Sequence, residues 1–256
     1  AKVLHGYNNQ TYRLFEIVIA DDGSTQETFD LIESIQNEVF YPIRHIWHED
    51  NGFQKTKILN KAIEISSAPY IIMSDGDCIP RSDFVEVHVK HRKKGLFLSG
   101  GYFMLPLNIS NLISYQDVYD GHCFDLNWLK SNGLKTSFKN NKLTATGFKS
   151  SILNWLTPTI ASWNGHNASG WKNDIMEING FDERMQYGGE DRELGERLLN
   201  YGLKSKQIRY SAICLHLDHP RSYKTKESLE RNLEIRRIVK AEKRTWTDFG
   251  IIKSEE

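Results

Sequence analysis

The sequence predicts a single α/β domain built on a mainly parallel, doubly wound sheet. Three observations carry that prediction. Short apolar runs at 16–20, 43–47 and 70–73 are bounded by turn residues, the signature of buried strands. Between them Phe29, Ile32, Ile35 and Val39, and then Leu59, Ala62 and Ile63, recur at helical spacing. Each run ends in polar groups: Asp21 and Asp22, then Glu49, Asp50 and Asn51, then Asp75 and Asp77. Strand, helix and strand with short connections give right-handed βαβ units, and such sheets bind ligands outside the carboxyl ends of their strands. The pattern therefore predicts a nucleotide crevice.

Composition narrows the function. A chain of 256 residues is long enough for one large domain with a sizeable core. Its 33 basic and 33 acidic residues cancel, so no broad field favours nucleic acid or an anionic membrane. Cys78, Cys123 and Cys214 are odd in number, widely spaced and without a CxxC pair. That usage argues against a disulfide framework or a structural zinc and suits a reducing compartment. No apolar run approaches the roughly 20 residues needed to span a bilayer.

Further along, Ser82 caps a predicted helix over 82–93, and 96–99 reads as another strand. Residues 108–160, with Lys139-Asn140-Asn141-Lys142 among them, read as an irregular excursion from the core. Tyr187-Gly188-Gly189-Glu190-Asp191 opens a helix that stops at Gly202, a C-cap glycine. A strand over 208–215 leads into His216-Leu217-Asp218-His219-Pro220, and 225–245 reads as a charged packing helix.

Asp75-Gly76-Asp77 is the centre of the chemistry. In an extended chain, residues two apart point to one side, so both carboxylates can face one ligand. Two acids that close need a cation or hydrogen-bond donors to coexist, and a hard divalent cation is the natural partner. Alone, the pair reads better as a solvated Asp-Gly turn. Likewise Asp21 and Asp22 can simply end a strand, Asn51 can cap a helix, and Glu190 and Asp191 can do no more than cap the next one.

Four segments shift that balance: Val18–Ser24 (VIADDGS), Asp50–Ile63 (DNGFQKTKILNKAI), Ile71–Pro80 (IIMSDGDCIP) and Gly180–Gly202 (GFDERMQYGGEDRELGERLLNYG). Their order and spacing resemble nucleotide-sugar glycosyltransferases of the GT-A fold. The nearest pattern is the inverting family that contains cellulose-synthase-like and chondroitin-polymerase-like enzymes. The last segment also resembles the Gly-Gly-Glu-Asp block of galactosyl- and N-acetylgalactosaminyl-transferases. The resemblance implies a single Rossmann-like domain: a nucleotide-sugar-binding half at 1–105, an acceptor-binding and catalytic half at 106–222, and a charged helix and tail at 223–256. It implies Asp77, Asp75 and His216 as metal ligands for Mn²⁺ or Mg²⁺, with His219 a lesser candidate. Asp21, Asp22, Asn51, Lys57 and Asp75 would contact the donor, Asp191 would act as general base, and Glu190 is its alternate. Trp163, Asn167 and Trp171 are candidates to wall the acceptor pocket.

The implied reaction is metal-dependent, inverting transfer from a UDP-sugar to a saccharide acceptor in polysaccharide or glycan synthesis. The partners are donor and acceptor, without nucleic acid or an integral membrane segment; placement is cytoplasmic, or peripheral at the inner face of a membrane. Three departures stand out. The family's first strand is absent, because the chain begins inside the helix that follows it. Leu59 replaces an arginine common before Asn60, with Lys55 or Lys57 as a substitute charge. Residues 108–160 match nothing transferable. The competing readings are a nucleotide-sugar-binding protein without turnover and a sugar-nucleotide pyrophosphorylase.

Overall fold

A computed structural model describes residues 1–219 and 225–253; the expected boundary at 222/223 lies outside the described residues. Helix α1 (Lys2–Asn8) precedes β1 (Ile17–Asp21), α2 (Gln26–Gln36), β2 (Ile43–Trp47), α3 (Lys55–Ile65) and β3 (Tyr70–Met73). Strand β4 (Cys78–Pro80), α4 (Phe84–His91), β5 (Leu96–Ser99) and β6 (Gly101–Met104) follow. The excursion then holds α5 (Leu107–Leu112), α6 (Tyr115–Tyr119), α7 (Leu126–Ser131), α8 (Asn141–Thr144) and α9 (Gly147–Leu156). The last stretch carries β7 (Ala168–Trp171), α10 (Lys172–Glu177), α11 (Glu190–Asn200), β8 (Lys204–Gln207), β9 (Ile213–His216) and α12 (Lys226–Ala241).

The βαβ prediction holds where it was strongest: β1 pairs parallel with β2 across α2. Elsewhere the pairing is more mixed than the sequence predicts. Among the described residues, β5–β8 and β6–β9 are parallel, but β3–β7, β5–β7 and β4–β9 are antiparallel. Strands β4, β6, β7 and β8 run only three or four residues each, too short to show a period.

The excursion is a set of short helices rather than irregular chain. They close over their own core of Ile109, Ile113, Val118, Cys123, Leu129 and Leu143, joined to the sheet through Ile79 and Leu215. The main core lies between α3, the β3–β7–β5 strands, α10 and α11, around Ile63, Phe97, Trp163, Ile175, Phe181 and Leu194. Trp163 and Asn167 are both fully buried, which corrects their expected place on an acceptor pocket. Trp171 packs edge-on against Tyr70 at 5.1 Å, and its register partner on β3 is that same Tyr70, at the opposite end of the strand from Asp75.

Candidate active site

The polar ends of β1, β2 and β3 do meet. Gly23 has φ +87°, and a Cβ there would lie 2.6 Å from the Asp50 Cα, so only glycine lets the two loops close. Asp21 is buried and accepts hydrogen bonds from the Ser24 backbone N–H (2.9 Å) and His45 Nε2 (2.8 Å). Burial alone would raise its pKa, but the bonds from Ser24 and His45 outweigh that and hold it below the usual carboxylate range. Asp22 accepts from His48 Nε2 (2.6 Å) and from the Gln54 N–H (2.9 Å). Asn51 is exposed on the loop between them, and Gln54, not Asn51, occupies the N-cap of α3.

Lys55, the first residue of α3, is the cation of the cleft. Its Nζ lies 3.2 Å from Asp75 Oδ1, 3.8 Å from Glu190 Oε1 and 4.0 Å from Asp191 Oδ2. Burial would lower its pKa; Asp191, Asp75 and Glu190 more than reverse that and keep it charged. This corrects the choice of Lys57 as the lysine in the cleft. Two residues on along a helix points a side chain about 200° away, and Lys57 forms no ion pair among the described residues. Leu59, in place of the family's arginine, packs against the main core.

Glu190 and Asp191 begin α11 behind Gly188 and Gly189, whose φ values of +111° and +96° favour glycine. Glu190 turns back so that its Oε2 accepts from the Gly188 N–H at 2.8 Å, and its side chain is almost wholly buried. Asp191 remains 20% exposed toward the cleft. Burial raises its pKa to about 6; Lys55 holds it down while Glu190 and Asp75 push it up. Its Oδ1 is buried and has no hydrogen-bond partner of good geometry, while part of the side chain stays exposed beside Lys55. Sequence reading missed Gly165, whose backbone floors this pair. A Cβ there would stand 2.6 Å from Asp191 Oδ2 and 2.9 Å from Lys55 Nζ. A glycine in a polar Trp-Asn-Gly-His loop was the available signal.

The two carboxylates of Asp75-Gly76-Asp77 diverge. Strand β3 ends at Met73, and the Cys78 N–H bonds back to the Asp75 carbonyl at 3.1 Å. A turn of that kind aims neighbouring side chains apart, so Asp75 reaches Lys55 and Asp77 faces the histidines. His216 Nε2 lies 3.6 Å and His219 Nε2 2.8 Å from Asp77 Oδ2. Asp77, His216 and Cys78 present ligand atoms within 4.8 Å of one another; Asp75 is outside that cluster. This corrects the expectation that Asp75 and Asp77 face one ligand together. His216 Nδ1 donates to the Leu217 carbonyl at 2.9 Å, which leaves the Nε2 lone pair toward Asp77, the tautomer a metal ligand needs. A hydrogen bond with Cys214, together with burial, keeps the Cys78 thiol protonated, so the usable donors are oxygen and nitrogen. That donor set fits Mn²⁺ or Mg²⁺. His166, another residue missed from sequence, stacks edge-on against Tyr102 at 4.5 Å, and Tyr102 lies 5.7 Å from His216.

Two family models match the chain: glycosyl transferase family 2 over residues 1–101, and the N-terminal domain of galactosyltransferase over 160–220. Among curated relatives, the hyaluronan synthase of Pasteurella multocida is 26% identical over 78% of this chain and 21% of its own length. The validoxylamine A glucosyltransferase of Streptomyces hygroscopicus subsp. jinggangensis is 26% identical over 77% of this chain and 47% of its own. The chain thus spans between a fifth and a half of these relatives. Its fold is similar to the mannosyltransferase PcManGT of Pyrobaculum calidifontis in complex with GDP-Man and Mn²⁺ (TM-score 0.56, 15% identity, 87% of this chain and 54% of that one). It is also similar to S. aureus TarS 1–349 in complex with UDP-GlcNAc (TM-score 0.58, 15% identity, 94% and 64%).

Fold and motifs together define a glycosyltransferase of the GT-A fold. Residues 1–101 carry the likeness to glycosyl transferase family 2, and 160–220 the galactosyltransferase-like block.

Proposed function

We propose that the chain transfers a sugar from a nucleoside diphosphate donor, a UDP-sugar, to a saccharide acceptor with inversion at the anomeric carbon, in polysaccharide or glycan synthesis. The observation that carries this reading is Asp191: a partly exposed carboxylate 4.0 Å from Lys55, whose ammonium also meets Asp75, two residues before the Asp77 that faces His216. Residues 1–105 form the donor half in this reading and 106–222 the acceptor and catalytic half, with 223–256 as helix and tail. The chain works in the cytoplasm, or peripherally at the inner face of a membrane.

Asp77 and His216 would hold Mn²⁺ or Mg²⁺, with Asp75 a second carboxylate toward the donor. A divalent cation held there would neutralise charge on the departing diphosphate. Asp22 and Asn51 would meet the nucleotide, with Asp21 bracing their loop from beneath. Asp191, with Glu190 as alternate, takes the proton of the acceptor hydroxyl. That oxygen bonds to the anomeric carbon as the bond to the diphosphate oxygen breaks, and the diphosphate leaves with the electron pair. A single displacement from the face opposite the leaving group inverts the centre.

Asp191→Asn keeps the shape and removes the base. Donor binding, followed by titration of UDP with Mn²⁺, should persist, while transfer falls by about 10²–10⁴-fold. Unchanged transfer would remove Asp191 from the role. Metal-dependent UDP binding by the wild type with no turnover against a panel of nucleotide sugars would favour a binding protein instead.

A further inference from the structure

The net charge of the chain is zero, but the charge is not evenly spread. Between residues 126 and 160 there are five lysines and no acid: Lys130, Lys135, Lys139, Lys142 and Lys149. Inside this segment α9 is built the wrong way round for a globular helix. A surface helix ordinarily turns its apolar stripe to the core and its polar face to water. In α9 two polar residues face the protein: Ser150 is buried, and Asn154 donates to Ser211 Oγ (2.9 Å) and accepts from the Tyr210 N–H (2.9 Å). The apolar stripe faces out. Phe148 is 82% exposed, Trp155 83% and Leu156 60%, with Ile152 on the same face.

Cations border this stripe. Lys149 sits on α9 itself, and Arg209 donates to Thr159 Oγ1 at 3.4 Å just past its end. Burial, with the like charges of Arg209 and Lys139, lowers the Lys142 pKa to about 8, so these three cations are close neighbours. An outward apolar helix carrying an exposed tryptophan and phenylalanine, set in a lysine field, has the composition of an interfacial helix. Aromatic and aliphatic side chains enter the headgroup boundary while the cations stay with anionic headgroups.

We propose that α9 and the lysines around it form a docking surface for an anionic lipid bilayer. The inference rests on the preceding reading only for its peripheral placement, and vesicle binding is measured apart from turnover. The surface abuts the cleft: Lys142 donates to the Tyr102 carbonyl at 2.8 Å, and Tyr102 stacks on His166 and His216. Docking by α9 therefore brings the candidate metal ligands close to the lipid surface, as transfer to a saccharide on a lipid carrier would need.

The test is flotation of the full chain with vesicles of phosphatidylcholine containing about one-third phosphatidylglycerol, beside vesicles of phosphatidylcholine alone. The wild type should float with the anionic vesicles and lose that association as salt rises. The double variant Phe148→Ser, Trp155→Ser should partition at least about tenfold less, at unchanged Tm, because both side chains already stand in water. Lys139→Gln with Lys149→Gln should abolish the preference for anionic over neutral vesicles. Equal flotation of wild type and the Phe148/Trp155 variant would overturn the proposal. So would no flotation with either vesicle, or self-association in solution that Trp155→Ser abolishes while vesicle binding is absent.

Discussion

The ammonium of Lys55 stands among the carboxylates of Asp75, Glu190 and Asp191, and its charge sets what Asp191 can do. A base must be ionised to accept a proton, so transfer should rise with pH through the Asp191 pKa of about 6. Lys55 lowers that pKa, so Lys55→Met should move the acidic limb of the pH–rate profile upward, by a unit or more given an ion pair this close (about one to three units). Initial rates across the acid range check this; an unmoved limb would separate Lys55 from the base. Gly165→Ala probes the same pair through shape. The three atoms nearest the new Cβ would be the ends of two flexible side chains, Asp191 and Lys55. The fold should therefore absorb it with a Tm change of a few degrees or less, while transfer falls at least about tenfold because both groups must move. A large loss of Tm with proportionate loss of activity would make Gly165 a packing residue.

At the scale of elements, α12 latches the loop that presents the base. Asn232, fully buried on α12, donates to the Gln186 carbonyl (2.8 Å) and the Gly188 carbonyl (3.0 Å). Leu229 lies so close to Gly188 that a Cβ there would sit 2.3 Å from its Cδ2. Arg236 and Lys240 of α12 pair with Glu196 of α11, which fixes the two helices side by side. From the other side, the buried Arg197–Glu193 pair carries Arg197 to the carbonyls of Ile178 and Gly180. Asn232→Ala leaves two loop carbonyls without their donor and should destabilise by about 1–3 kcal/mol. Amide exchange over 186–190 should quicken more than exchange in β5 or β7; a uniform change would deny the latch. None of this was legible from the mixed charges of 225–245, which show a packing helix but not what it packs against.

For the whole molecule, stability should depend on pH through a network that ties α4 to the sheet. Tyr70 Oη and Ser169 Oγ lie 2.8 Å apart, Ser169 Oγ is 2.7 Å from His88 Nδ1, and His88 Nε2 is 2.8 Å from Asn167 Oδ1. Asn167 Nδ2 donates onward to the carbonyls of Gly101 and Ala212, so its Oδ1 accepts and His88 is neutral with the proton on Nε2. Burial lowers the His88 pKa to about 4, below its unfolded value of about 6.5. Between those values the unfolded chain binds the extra proton, so stability is full above about pH 6.5 and falls as pH drops toward 4, by on the order of 2–3 kcal/mol. Urea unfolding at neutral and mildly acid pH measures it; a flat midpoint over that window would show that His88 stays accessible to protons.

Local sequence was enough for the strands that end in Asp21, Trp47 and Met73, since each is an apolar run closed by turn residues, and for α11 behind its paired glycines. Asp191, Asp77 and His216 were singled out by the family resemblance of their segments, not by local pattern alone. Tertiary structure decided everything that depends on how side chains meet across elements. It turned Asp75 toward Lys55 and away from Asp77, put Lys55 rather than Lys57 in the cleft, and buried Trp163 and Asn167. It also paired β4 and β7 antiparallel to their neighbours and turned the apolar face of α9 outward. The physical reason is that a period of two or 3.6 residues records which side of an element is apolar. Which way that side finally faces is fixed by the distant residues that pack against it, and for Asp75 and Asp77 it was fixed by a turn closed through one backbone hydrogen bond.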